Sequence, residues 1–162
     1  MKRWDERPVE IRNLFNPAFC GLILMRALCG YEEEDERGMP FSLVLLVLPL
    51  CLHKRSREIL HAGNRSYLLK LIASHPELLV GFARRTTDLL PYAFEALGFL
   101  MQMGLFTVDA HGRLKATPDG LRKSITGTAE TVSCQRVARF VGKEFARVGD
   151  RSTLYMTMGV RP

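Results

Sequence analysis

The stretch Phe41–Leu52, FSLVLLVLPLCL, constrains the fold of this chain more than any other, because every residue in it except Ser42 is apolar or proline. It is much shorter than the roughly 20 residues a helix needs to cross a bilayer. A helix of this composition has no polar face, so it belongs inside a protein and buried on all sides. Pro40 suits its first turn, and Pro49 is expected to end or kink it. An acidic run, Glu32–Glu36, precedes the stretch, and a basic segment, HKRSREIL, follows as a short turn. The acids either contact a basic partner or form a solvated loop. The basic turn either touches phosphate or keeps an apolar helix end in water.

A second apolar helix lies upstream. Asn16-Pro17 is a helix start, with Asn capping and Pro in the first turn, and the helix is expected over Ala18–Leu28, stopping near Gly30 with Arg26 as its only charge. Two nearly all-apolar helices exceed what a self-contained core in 162 residues needs, which points to a protein–protein interface. Phe19, Leu22, Leu43, Leu46 and Leu50 are the candidate partner-contacting residues. Most of Phe41–Leu52 is expected to be buried, with the interface around its edges.

From Ser66, read as a cap, the pattern becomes regular. One helix ends at His75-Pro76, a second opens at Pro76-Glu77, and a third opens at Pro91 and stops at Gly104. Two short strands, Leu105–Val108 and Arg113–Ala116, flank Asp-Ala-His-Gly and read as a hairpin. Three helices followed by a hairpin is the order of a winged helix–turn–helix lobe over residues 66–117. Thr117–Thr131 reads as a linker. From Ser133 a helix places Arg136, Arg139, Lys143 and Arg147 on one side and Val137, Val141, Phe145 and Val148 on another, before a short helix Ser152–Met158. The fold expected is therefore mainly α with a small β-hairpin, a winged-helix-like lobe and flanking apolar and basic helices. Its parts are 1–65, 66–117 and 118–162.

The chemistry-bearing motifs are missing. LRKSITGT lacks the G-x-x-x-x-G-K-S/T spacing of a phosphate loop, and no GxSxG, HExxH or dinucleotide glycine motif occurs. Cys20, Cys29, Cys51 and Cys134 have no metal-type spacing, and Glu58 with His61 lacks a second ligand pair. These readings predict a non-enzyme without metal or cofactor, and with buried reduced thiols. The charged N-terminus does not resemble a signal peptide, and no segment is expected to be long enough to span a membrane, so the chain is expected in the cytoplasm. A net charge of +6 favours acidic partners, nucleic acid above all. Arg84, Arg85, Arg113, Lys115, Arg136, Arg139, Lys143 and Arg147 are the candidate contacts to a DNA backbone. The helix Tyr92–Met103 carries Glu95 and Gln102 but no Arg or Lys, which argues against a sequence-reading repressor. A standalone winged-helix regulator is the alternative function.

The runs RPVEIRNLFNPAFCGLILMRALCGYEEE, PFSLVLLVLPLCLHKRSRE and HPELLVGFARRTTDLLPYAFEALGFLMQMGLF, with the terminal GVRP, carry a resemblance. Its most specific pieces are NPAF at Asn16–Phe19 and LPL-x-LH at Leu48–His53. The chain resembles the middle component of three-component ABC systems, bacterial antiphage and anti-plasmid operons that include the Lamassu type. The resemblance implies a small adapter with a winged-helix-like portion. Its partners would be an SMC- or Rad50-like ABC ATPase that senses double-stranded DNA and an effector, often a nuclease, restrained until activation. No membrane partner is expected.

Overall fold

In the computed structural model, which describes residues 4–117 and 120–161, a short helix α1 (Val9–Leu14) leads into α2 (Pro17–Glu32), the helix around which the others assemble. The Asn16 side chain accepts from the backbone N–H groups of Ala18 (2.8 Å) and Phe19 (3.4 Å), and Pro17 occupies the first turn, as expected. The helix does not stop at Gly30 but runs one half-turn further. A two-residue strand β1 (Met39–Pro40) follows, with Pro40 at the edge of a sheet where its missing N–H is not needed.

The expected helix over Phe41–Leu52 is two helices, α3 (Phe41–Val44) and α4 (Val47–Leu52). Pro49 cannot donate to the Leu45 carbonyl, so the chain restarts at Val47 and places Pro49 in a first turn, where no donor is required. The basic segment after it is not a turn but a third helix, α5 (Lys54–Ala62), whose N-terminus is capped by His53 accepting from the Ser56 N–H. Arg57 of α5 is buried and donates to the Cys51 and Leu52 carbonyls, which satisfies the free end of α4.

Helix α6 (Leu68–Ser74) starts without help from Ser66. Instead the buried Glu144 carboxylate accepts the Leu68 N–H at 2.8 Å. Pro76–Leu79 is a single 3-10 turn, and the two helices expected on either side of Pro91 are one 21-residue helix, α7 (Phe82–Gln102). Pro91 and Thr87 are both exposed, so the carbonyl that Pro91 deprives of a donor faces water. The buried face of α7, carrying Phe82, Thr86, Ala93, Ala96, Leu97 and Leu100, continues in phase through the proline. The hairpin forms as expected from β2 (Phe106–Val108) and β3 (Arg113–Ala116). Asp109 Oδ1 accepts from the His111 and Arg113 N–H groups, and Gly112 takes the left-handed position with φ of +71°. The sheet has a third, unforeseen strand: the order is β1-β3-β2, all antiparallel, with Met39 opposite Leu114.

The linker ends at Thr128, which caps α8 (Ala129–Val148), and α9 (Arg151–Met158) closes the described chain, its Tyr155 hydroxyl donating to the Ser42 carbonyl. The most extensive helix–helix contact joins α2 and α8. At its centre a Cβ on Gly30 would overlap the Arg139 carbonyl oxygen, and one on Gly142 would overlap the Ala27 carbonyl oxygen. The two backbones therefore touch, and only glycine fits at either position. Residues from α2, α3, α4, α7 and α8 share one core.

The expectation that no segment is long enough to span a membrane is corrected. Val9–Glu32 is a 24-residue stretch long and apolar enough to cross one by length and composition. Here it is broken between α1 and α2, and α2 forms the core helix with Cys20, Ile23, Leu24, Ala27 and Leu28 fully buried.

Glycine is ordinarily worse than alanine inside a helix by about 1 kcal/mol. A Cβ added at Gly98 of α7 would meet nothing within 4 Å, so Gly98→Ala should raise stability by about 0.5–1 kcal/mol. Gly142→Ala should do the opposite and lower it by about 2 kcal/mol or more, because it forces α2 and α8 apart. Urea unfolding of the two variants checks the opposed signs.

Candidate functional site

Three of the expected partner-contacting residues are corrected by their burial. Leu43, Leu46 and Leu50 are at most 3% exposed, packed in the core between α2, α4, α7 and α8, so no partner reaches them in the folded chain. Phe19 and Leu22 are half-buried, and Phe19 lines a small cavity of about 360 Å³ with Leu14, Leu52, Arg57, Glu130 and Cys134. The surplus of apolar helix surface read from the sequence is absorbed internally.

An exposed apolar surface exists elsewhere. The outer face of the C-terminal half of α7 presents Phe94, Gly98 and Met101 at i, i+4 and i+7, and Phe99 and Met103 are exposed on other sides of the same helix end. Met101 and Met103 are 61% and 60% exposed. Phe41, the outermost residue of the apolar stretch, stacks on Phe94 with ring centroids 6.2 Å apart and extends the surface beyond the helix. The polar residues on this face are Gln102 and Glu95, and Arg7 grips the Glu95 carboxylate with two hydrogen bonds of 2.7 and 2.8 Å. Phe15 stacks on Tyr92 at 4.3 Å, so the N-terminal segment is fastened along the same helix. Side chains of this kind, aromatic and methionine, are the ones enriched at the centres of protein interfaces.

The basic residues divide into two sets. On α8, Arg139 pairs with Glu33, Lys143 with Glu33 and Glu34, and Arg147 with Glu34 and Glu144. Two acids of the run, Glu33 and Glu34, therefore lie along the basic stripe and neutralise most of it, Asp35 pairs with Arg37 and Arg113, and Glu36 is exposed. Arg136 alone of the stripe is exposed without an ion pair among the described residues. Lys143 and then Arg147 hold the Glu34 carboxyl below its ordinary range, and a hydrogen bond from Arg37 does the same for Asp35. Arg113 is spent on the Gly38 carbonyl and on Asp35. Arg85 folds back on the Leu78 and Val80 carbonyls, and Arg84, almost fully exposed, faces Asp88 at 3.7 Å. Lys115 is exposed on β3 with no ion pair among the described residues.

The four cysteines are free thiols. Burial pushes Cys20 up to about 12 and Cys51 well above the usual thiol range, so neither is a nucleophile. Among the described residues no group of three or more His, Cys, Asp or Glu is arranged to hold a metal ion.

The fold and these surfaces define a class: a mainly helical protein with a small three-stranded antiparallel sheet and an aromatic- and methionine-rich helix face in water. Over residues 4–162 the chain matches the family described as ABC-three component (ABC-3C) system Middle Component 3, and it belongs to that family. It is thus a middle component of a three-component ABC system, and middle components work with the other components of such systems, an ABC ATPase among them. No curated protein and no solved structure matches the chain.

The neutralised stripe carries a pH signature. Because the Glu34 and Asp35 carboxyls are depressed in the folded chain, their contribution is complete above the ordinary carboxylate range near pH 4 and is lost as pH falls through their folded values. Wild type should be more stable than Glu34→Gln at pH 7, and the gap should close as pH is lowered from about 5 to 3. Thermal unfolding across that window is the check, and a gap that does not change with pH would contradict the pairing.

Proposed function

We propose that this chain is the non-catalytic adapter of its system, joining an SMC- or Rad50-like ABC ATPase to a nuclease-type effector in a Lamassu-like cytoplasmic defence complex that senses foreign DNA. The observation that carries this reading is the outer face of α7, where Phe94 and Met101, with Phe41 beside them, remain in water. A soluble chain rarely leaves a cluster of this kind uncovered without a partner for it. The occupant we assign is the ABC ATPase, the component that family membership supplies. The face from Pro91 to Met103 carries no lysine or arginine, so it offers nothing to phosphate and suits a protein surface. The non-catalytic part of the proposal rests on the sequence, which lacks nucleotide-loop and hydrolase motifs.

The winged-helix reading is supported by element order: a strand, helices, and a hairpin whose second strand pairs with the first strand. In such a lobe the helix before the hairpin is the one that meets DNA. Here that helix is α7: its arginines, Arg84 and Arg85, sit in its first turn, and its C-terminal half shows phenylalanine and methionine, with Gln102 as the one amide. The lobe would then use its recognition helix for protein. A standalone regulator remains the second reading, and it requires sequence-specific binding to the chain's own promoter.

Co-expression with the adjacent ATPase component tests the first reading. Phe94→Asp with Met101→Asp should cut co-purification by about tenfold or more, the equivalent of about 1.4 kcal/mol, while leaving the unfolding midpoint of the isolated chain unchanged. An intact complex with the doubly substituted chain would sink the assignment of this face.

A further inference from the structure

Arg26 is the single cation in α2, and only 7% of it is exposed. Burying an ionised side chain costs several kcal/mol unless an opposite charge and hydrogen bonds offset it. The other two buried arginines have that partner: Arg7 meets Glu95 and Arg57 meets Glu130. Arg26 has no carboxylate among the described residues. Its Nε donates to the Gln135 amide oxygen at 3.1 Å and its Nη2 to the Ser124 carbonyl at 2.8 Å, both neutral acceptors. Its Nη1 donates to no described residue. The consequence is visible in its proton affinity, which burial lowers, whereas the Glu95 carboxylate raises that of Arg7.

Arg26 lines a cleft of about 860 Å³ formed by the C-terminal half of α2, the strand β3 and the segment after it, and the middle of α8. Lys115, Lys123 and Arg139 also line the cleft, and Thr107 adds a hydroxyl. Lys115 and Lys123 are exposed and make no ion pair with a described residue. Two acids share the wall: Glu33 is held by Arg139 and Lys143, and Glu32, whose carboxyl burial pushes above its ordinary range, accepts the Ala116 N–H at 2.6 Å and feels the Lys115 charge. Burial holds the Cys29 thiol in its neutral form, so it adds no competing negative charge.

We propose that this cleft binds phosphate, with the Arg26 guanidinium as the buried anchor and Lys115 and Lys123 closing on the anion from the rim. A planar guanidinium with an open edge matches two phosphate oxygens, and the flexible lysines supply charge without fixed geometry. The phosphate comes either from a free nucleotide or from the backbone of a nucleic acid strand. The second source would deepen the proposal that the complex senses DNA. The site stands on the basic residues and not on the face of α7, so the co-purification result and this one can fail separately.

The test uses the full chain. Inorganic phosphate and adenosine monophosphate are added at ionic strength held constant with chloride while thermal unfolding is followed, and a short fluorescein-labelled duplex is titrated by anisotropy. At least one of these probes should bind wild type, seen as a raised unfolding midpoint over chloride or as a rise in anisotropy. Lys115→Glu with Lys123→Glu should weaken that binding by about tenfold. Arg26→Met should abolish it. If Arg26→Met does not fold, the rim variant decides alone. Binding of the duplex without the mononucleotide identifies a strand as the source, and binding of the mononucleotide without the duplex identifies free nucleotide. The proposal is overturned if none of the three probes acts on wild type beyond chloride, or if the rim variant binds as wild type does.

Discussion

The structure depends on one backbone-to-backbone crossing. Helices α2 and α8 are far apart in sequence, yet Gly30 meets the Arg139 carbonyl and Gly142 meets the Ala27 carbonyl, so no side chain separates them there. This close approach buries Ala27, Val137, Ala138 and Val141 completely or nearly so and leaves room on the remaining sides of α2 for α4 and α7. It also brings the C-terminal end of α2, with its acidic extension, alongside the basic stripe of α8. The charge pattern follows from the crossing: Glu33 and Glu34 lie opposite Arg139, Lys143 and Arg147 because the glycines set the register.

That arrangement redistributes the charge that a reader of the sequence would give to a partner. A net charge of +6 is an inventory, and what matters to an anion is the part left unpaired. The stripe on α8 is largely discharged, Arg113 and Arg85 are turned onto backbone carbonyls, and three cations outside ion pairs with described residues, Arg26, Lys115 and Lys123, line one cleft. Exposed apolar surface is redistributed in the same way. The most apolar segments of the sequence fill the interior, and the surface left in water belongs to a helix whose sequence looks ordinary.

Much of the fold was legible. The Asn16-Pro17 cap, the hairpin held by Asp109 and Gly112, and the amphipathic pattern of α8 are local signals, set by a few neighbouring residues, and each is present, although α8 begins at Ala129, four residues before the expected start at Ser133. The failures share a cause, which is that long-range packing overrides local punctuation. Pro91 reads as a helix start, but a buried face that stays in phase on both sides carries α7 through it. Ser66 reads as a cap, but the carboxylate that caps α6 comes from Glu144, more than seventy residues away. Met39–Pro40 is too short to read as a strand and exists because β3 offers it an edge. The candidate partner residues failed for the same reason: sequence shows how apolar Leu43, Leu46 and Leu50 are, and not how much of α2, α7 and α8 is available to cover them. The exposed face of α7 left a faint signal, since Phe94, Gly98 and Met101 recur at helical spacing beside the buried stripe of Ala93, Ala96, Leu97 and Leu100.

Family membership places the chain among the other components of its system, and the surface proposed to meet them is the outer face of α7, held in place by Phe15, Arg7 and α2. Methionine oxidation reads that surface directly. Met101 and Met103 are well exposed, and Met156, 77% exposed on α9, is a control on a different element. Hydroxyl-radical footprinting of the chain alone and in complex with its ABC ATPase should show Met101 protected in the complex while Met156 oxidises as before. Equal oxidation of Met101 in the free and bound states would contradict the central claim.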